Sequence, residues 1–116
     1  MVAKNRLPRT ACLKSRRDIE GLFSDGRRCK QSSLICIWQQ SDRFEYGVFV
    51  SRDLGSAVER NRIKRLLREA IRLCRSGLKK PVRLGLVPNR NSLQTGFEQI
   101  HAEVEQSIEH INNALN

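Results

Sequence analysis

From Arg60 to Arg75 the chain reads RNRIKRLLREAIRLCR, and seven positions, Arg60, Arg62, Lys64, Arg65, Arg68, Arg72 and Arg75, are cationic. Wound at about 100° per residue, these side chains occupy one side of a helix around Asn61. Ile63, Leu66, Leu67, Ala70, Ile71, Leu73 and Cys74 occupy the other. Glu69 is the lone anion in the run, too little for internal pairing. Guanidinium groups suit bidentate contacts to phosphate and stacking on bases, and an amide among them can donate and accept hydrogen bonds. Like charges three or four residues apart repel in the free helix, and a bound polyanion relieves that repulsion while releasing counterions. The alternatives are a polyanion site and a merely solvated face; the number and one-sidedness of the cations favour the site.

Composition agrees with that chemistry. The 116 residues carry 22 Lys and Arg against 12 Asp and Glu, a formal net charge of +10. All 22 basic residues precede residue 91, whereas residues 91–116 hold 4 Glu and no Lys or Arg, so the C-terminal segment presents a different, acidic surface. The length suits a single domain over 1–116, with residues 1–12 a flexible basic arm. No apolar run approaches the roughly 18 residues of a membrane span, and no apolar stretch follows the basic N-terminus as a secretory signal requires. A cytoplasmic protein is expected. Cys12, Cys29, Cys36 and Cys74 show no zinc-binding spacing; reduced thiols are expected, with Cys36 and Cys74 packed as small apolar residues.

The elements that must position the cationic run can be read from periodicity. Ser15, Asp18 and the spacing of Ile19, Leu22 and Phe23 predict a helix over 15–25, with Gly26 as a left-handed stop. SLICIW (33–38) reads as a central strand, and FEYGVFVS (44–51) as a strand with one face buried more deeply. A helix over 58–75 ends before Gly77 and Pro81. VRLGLV (82–87) is a strand weakened by Gly85, PNRNS is turn-rich, and Phe97, Ile100, Val104, Ile108, Ile111 and Leu115 mark a final amphipathic helix. This order predicts one sheet packed by helices, with a parallel strand pair bridged by the helix over 58–75. The apolar side of that helix is needed to cover the sheet, which disfavours a membrane role, and no helix-turn-helix unit for duplex DNA is visible.

The string SRDLGSAVERNRIKRLLREAIR (51–72) resembles the signature of the bacterial ribonuclease P protein subunit. It matches at Ser51, Gly55, Ala57, Val58, Arg60, Asn61, Arg62, Lys64, Arg65, Arg68 and Glu69, and Asp18, Phe23 and Gly26 fit the family's upstream pattern. The resemblance implies an α/β (α+β two-layer) sandwich, in the order α-β-β-(β)-α-β-α, with a left-handed β-α-β crossover against the general rule. It implies a protein that assists a catalytic RNA in removing the 5′ leader from precursor tRNA. That RNA performs the hydrolysis with bound magnesium, and the protein itself holds none tightly. It assigns Arg60, Asn61, Arg62, Lys64, Arg65, Arg68 and Arg72 to the catalytic RNA, with neither a membrane nor an obligate protein partner. No protein active site is expected: His101 and His110 lie nine positions apart on the acidic helix, and no carboxylate cluster accompanies the basic regions.

The resemblance also implies a cleft for the single-stranded leader between the first helix and the sheet. Such a cleft combines cations that track the backbone with platforms for bases. Ile19, Phe23, Ile35 and Ile37 are its expected floor, with packing into the core the competing reading, and Lys14, Arg16, Arg17 and Arg52 its expected rim. The chain departs from the family at Ile19 and Ile37, where aromatic residues are usual, and at Asp53, where a lysine is. Pro81 also stands in place of a common Asp, and only Arg90 answers the Arg expected after the last strand. Trp38 and Phe49, opposed in facing to Ile37 and Val48, are expected to pack in the core or against a helix. Two rival readings are a ribosomal-protein-like RNA binder without a processing role and a small metal-dependent nuclease.

Overall fold

The computed structural model describes residues 11–115. In chain order the elements are α1 (Arg16–Asp25), β1 (Arg27–Lys30), β2 (Leu34–Gln40), β3 (Glu45–Val48), α2 (Ala57–Cys74), β4 (Val82–Pro88) and α3 (Phe97–Leu115). Short 3-10 turns follow α2 at Arg75–Gly77 and β4 at Arg90–Gln94. The strands form one sheet in the order β1-β2-β4-β3. β2 is antiparallel to both neighbours, and β3 and β4 are the parallel pair bridged by α2, as the element order required.

Helices cover both faces of the sheet. Leu34, Cys36 and Trp38 of β2 and Val82, Leu84 and Leu86 of β4 face α2 and α3, in a core completed by Ile63, Leu67, Ile71, Ile100, Val104 and Ile111. Each fully buried aliphatic side chain there contributes roughly 1.5–3 kcal/mol of transfer free energy. Ile35 and Ile37 point the other way, toward α1, where Leu13, Leu22 and Ile37 form a second, smaller core. A ten-residue amphipathic helix suffices to cover that face, because Leu22 alone is driven to full burial.

Several expected boundaries shift for local reasons. α2 starts at Ala57, one residue earlier than expected, because Ser56 and Glu59 close a capping box. It ends at Cys74, where Arg75 begins the 3-10 turn. The strand expected over 44–51 is regular only from Glu45 to Val48, although the Phe49 N–H still donates to Leu86 O at 2.9 Å. Gly26 is not a left-handed stop. Its backbone is extended (φ −66°, ψ 150°), and a Cβ there would lie 2.7 Å from Ile37 Cγ2, so glycine serves close approach to the sheet. The carbonyls at the end of α1 are capped by Arg28, which donates to Phe23 O at 2.8 Å. β1, a cationic edge (RRCK), is the additional strand that the expected order left optional, at a place the residues had not marked.

The expected N-terminal arm falls outside the described residues as far as residue 10. Ala11 is buried, Cys12 bridges to Tyr46, and the Leu13 N–H donates to Tyr46 O at 2.7 Å, so the segment from Ala11 adds to the β3 edge. Among the described residues no helix is long and apolar enough to cross a membrane. Leu73, expected on the apolar side of α2, is exposed at its margin.

Cys36 and Cys74 are buried, and Cys12 and Cys29 are half-buried. Burial pushes the Cys74 thiol from its ordinary 9.0 up to about 11, and that of Cys36 further in the same direction. Unfolding exposes a thiol that ionises near 9.0, so between 9.0 and about 11 the unfolded chain loses a proton the folded one keeps. Stability is therefore expected to fall as pH rises through that window. At pH 8 a thiol reagent is expected to modify Cys12 and Cys29 in the native protein well before Cys36 and Cys74, as peptide mapping would show.

Candidate functional site

α2 is held at its head by its own chain. Gly55, at φ 67°, makes the left-handed turn that an L side chain rarely adopts, and the capping box follows: Glu59 N–H to Ser56 Oγ at 3.1 Å, Ser56 N–H to Glu59 Oε1 at 2.9 Å. The Ser56 backbone and hydroxyl bonds hold the Glu59 carboxyl below the usual carboxylate range. Arg60 reaches back over this turn and donates to Gly55 O at 2.7 Å and Arg52 O at 2.9 Å. Arg62 donates to Thr95 O at 3.2 Å, which ties α2 to the turn before α3.

The cationic side of α2 is less uniform than expected. Arg72 makes a bidentate pair with Glu69, at 2.8 and 2.6 Å, which lowers the pKa of the Glu69 carboxyl and raises that of the guanidinium. Arg75 lies 4.7 Å from the Phe44 ring centroid, at the far end of the helix. The partners of Arg60 and Arg62 are neutral carbonyls, so among the described residues Arg72 is the one cation of this face paired with an anion. Among the described residues the side chains of Asn61, Lys64, Arg65 and Arg68 have no hydrogen-bond or ion-pair partner. They are the free chemistry of this face.

Across the sheet, Ile19, Phe23 and Ile35 are half-buried beside α1, whereas Ile37 is 3% exposed and part of the core. Three of the four expected floor residues thus retain some open surface. Phe49, expected in the core or against a helix, takes the second course and joins them: its ring meets Phe23 of α1 edge-on at 5.1 Å. It lies over the paired glycines Gly47 and Gly85, whose added Cβ atoms would come within 2.5 and 3.1 Å of that ring. Two glycines directly opposed in neighbouring strands were the signal in the sequence that a side chain lies flat on the sheet there. Trp38 does face the main core, where Arg27 lies 5.0 Å from its ring centroid.

The expected rim residues Lys14, Arg16 and Arg17 are exposed at the N-terminal end of α1, with Arg16 paired to Glu20 at 3.3 Å. Arg52 is exposed but sits in the loop before α2, beside Arg60. Lys64 is shared between the two surfaces, since with Val48, Phe49, Val50, Ser51 and Val87 it lines a groove of about 470 Å³. Arg83 was missed. It bonds Glu45 at 3.0 Å and approaches Asp18 at 3.7 Å and Gln39 at 3.3 Å, so it fastens α1 to three strands. Among the described residues no three His, Cys, Asp or Glu side chains converge as a metal site would require.

Fold and charge together define a small basic α/β sandwich with a cationic helix face on one side of the sheet and a half-buried apolar surface around Phe23 and Phe49 on the other. The chain belongs to the ribonuclease P protein family, whose model, described as Ribonuclease P, matches residues 7–112. It is 30% identical over 97 residues to a ribonuclease P protein component from Dictyoglomus thermophilum, covering 80% of this chain and 81% of that relative. A second protein component, from an Exiguobacterium species, is 38% identical over 63 residues, about half of each chain (53% and 55%). The fold matches the RNase P protein of Staphylococcus aureus with a TM-score of 0.77 at 23% identity, over 91% of this chain and 98% of that one.

Proposed function

We propose that this chain is the protein subunit of ribonuclease P, assisting the catalytic RNA in endonucleolytic removal of 5′ leaders from precursor tRNA. The observation that carries the reading is the pair of surfaces on opposite faces of one sheet, because a protein that brings two RNAs together needs two separate places to neutralise phosphate. On the α2 face, Arg65, Arg68 and Lys64 meet phosphates of the catalytic RNA directly. Arg60 and Arg62 add charge from fixed positions, and Asn61 supplies an amide between them. Arg72, already paired, contributes least.

Across the sheet, Phe23 and Phe49 with Ile19 and Ile35 form the floor on which leader bases stack, and Ile37 supports that floor from the core. Lys14, Arg16 and Arg17 track its phosphates from one end and Lys64 and Arg52 from the other. Magnesium held by the RNA supplies the chemistry that activates water for hydrolysis. The protein's share is to screen repulsion between the two RNAs, to favour the active RNA arrangement and to add affinity for the leader.

Labelled precursor tRNA incubated with protein alone, with ribonuclease P RNA alone at limiting magnesium, and with both tests this reading. Cleavage is expected to be strongly enhanced only in the mixture. Cleavage by the protein alone would favour an independent nuclease, and a mixture no faster than RNA alone would leave a general RNA binder.

A further inference from the structure

Beside the free cations of α2 lies a groove of about 510 Å³, lined by Arg65, Leu66, Arg68, Glu69, Arg72 and Phe97. Its volume is within the roughly 300–1,000 Å³ typical of small-molecule sites. Leu66 and Phe97 are only half-buried, which leaves an apolar floor between α2 and the start of α3, and Phe97 is itself backed by His101 at 5.7 Å between ring centroids. Glu69 is neutralised by Arg72, so the uncompensated charge at the rim is that of Arg65 and Arg68. An apolar, partly aromatic floor beneath two free guanidinium groups suits an occupant that is flat and apolar at one end and anionic at the other.

We infer that this groove receives one unpaired nucleotide of the RNA bound along α2, its base against Phe97 and Leu66 and its flanking phosphates on Arg65 and Arg68. The inference rests on the proposed RNA-subunit interface and names a part of it. A base inside a duplex has both faces covered by its neighbours, so only a bulged or loop nucleotide can enter. Stacking releases no counterions, so the contribution of Phe97 is independent of salt, unlike that of the arginines.

Tryptophan at position 97 reports the contact, because the native protein has a single tryptophan, Trp38, that is 2% exposed. In the full-length Phe97→Trp protein, emission from residue 97 is expected to fall about twofold on binding ribonuclease P RNA and to stay unchanged with a blunt-ended, fully paired two-strand RNA duplex. Phe97→Leu is expected to bind ribonuclease P RNA about tenfold more weakly at an unaltered salt slope, and Phe97→Tyr to restore binding, as base–aromatic stacking requires. Should Phe97→Leu be destabilised, the tryptophan signal decides. Unchanged emission in a complex whose formation is shown by gel mobility overturns the inference, leaves the RNA-subunit reading intact, and turns the groove over to another occupant such as an acidic peptide. Failure of the wild-type protein to bind ribonuclease P RNA overturns both.

Discussion

Replacing Arg65 and Arg68 together by alanine is expected to reduce the salt slope of affinity for ribonuclease P RNA by about 1.4–1.8 units. Each lost phosphate contact removes about 0.7–0.9. Carried from 1 M salt down to 0.15 M, that change alone weakens binding about 20-fold. These two residues are the cleanest test because both are exposed and neither has a partner among the described residues, so their loss removes charge without disturbing the fold. Arg60→Ala is less informative, since its guanidinium also holds the Gly55 and Arg52 carbonyls at the head of α2. Deleting Arg72 and Glu69 together removes a pair with no net charge and is expected to leave the slope unchanged. Filter binding across a salt series would measure all of these, and an unaltered slope for the Arg65/Arg68 double variant would contradict the assignment of this face.

The second large effect is expected far from any charge cluster. Glu103 is 2% exposed in α3, where its Oε1 accepts from the Ser33 N–H at 2.8 Å and its Oε2 from Gln99 Nε2 at 2.9 Å. Glu103→Ala leaves the buried Ser33 N–H, just before β2, without an acceptor and opens a cavity, together worth about 3 kcal/mol. For a domain of this size the unfolding midpoint should drop by about 10 °C. Glu103→Gln keeps one carbonyl acceptor and should lose about half as much. The damage should also reach the cationic face, because Ser33 Oγ meets Thr95 Oγ1 at 3.0 Å and the Thr95 carbonyl supports Arg62. Urea titration with an unchanged m-value would report the loss as stability, and an unaltered midpoint would show that Ser33 finds another partner.

Glu103 also marks where reading from composition stops. The residue counts toward an acidic C-terminal segment, yet it is not on the surface, and nothing in its local spacing distinguishes it from Glu98, Glu105 or Glu109, which are exposed. The start of α2 is the opposite case. Ser56 and Glu59 stand at capping-box spacing, so the boundary at Ala57 was open to local reasoning. β1 could not be read in this way, since RRCK has neither alternation nor β-branched residues and becomes a strand only because β2 offers it an edge.

What followed from the chain alone was whatever depends on periodicity and charge: three amphipathic helices, a central apolar strand, the parallel pair bridged by α2, and a helix with cations on one side. These survive because burial of an apolar stripe and exclusion of charge from a core act at fixed spacing along an element. Which cations stay free was settled by neighbours distant in sequence or by cap geometry. Arg62 found Thr95, Arg60 found the Gly55 loop, Arg75 found Phe44, and Arg65 and Arg68 found no partner among the described residues. Likewise Phe49 reached Phe23 because Gly47 and Gly85 are register partners, a juxtaposition set by pairing of parallel strands. Side-chain partners of this kind depend on distances between elements, and those distances exist only once the sheet and helices have packed.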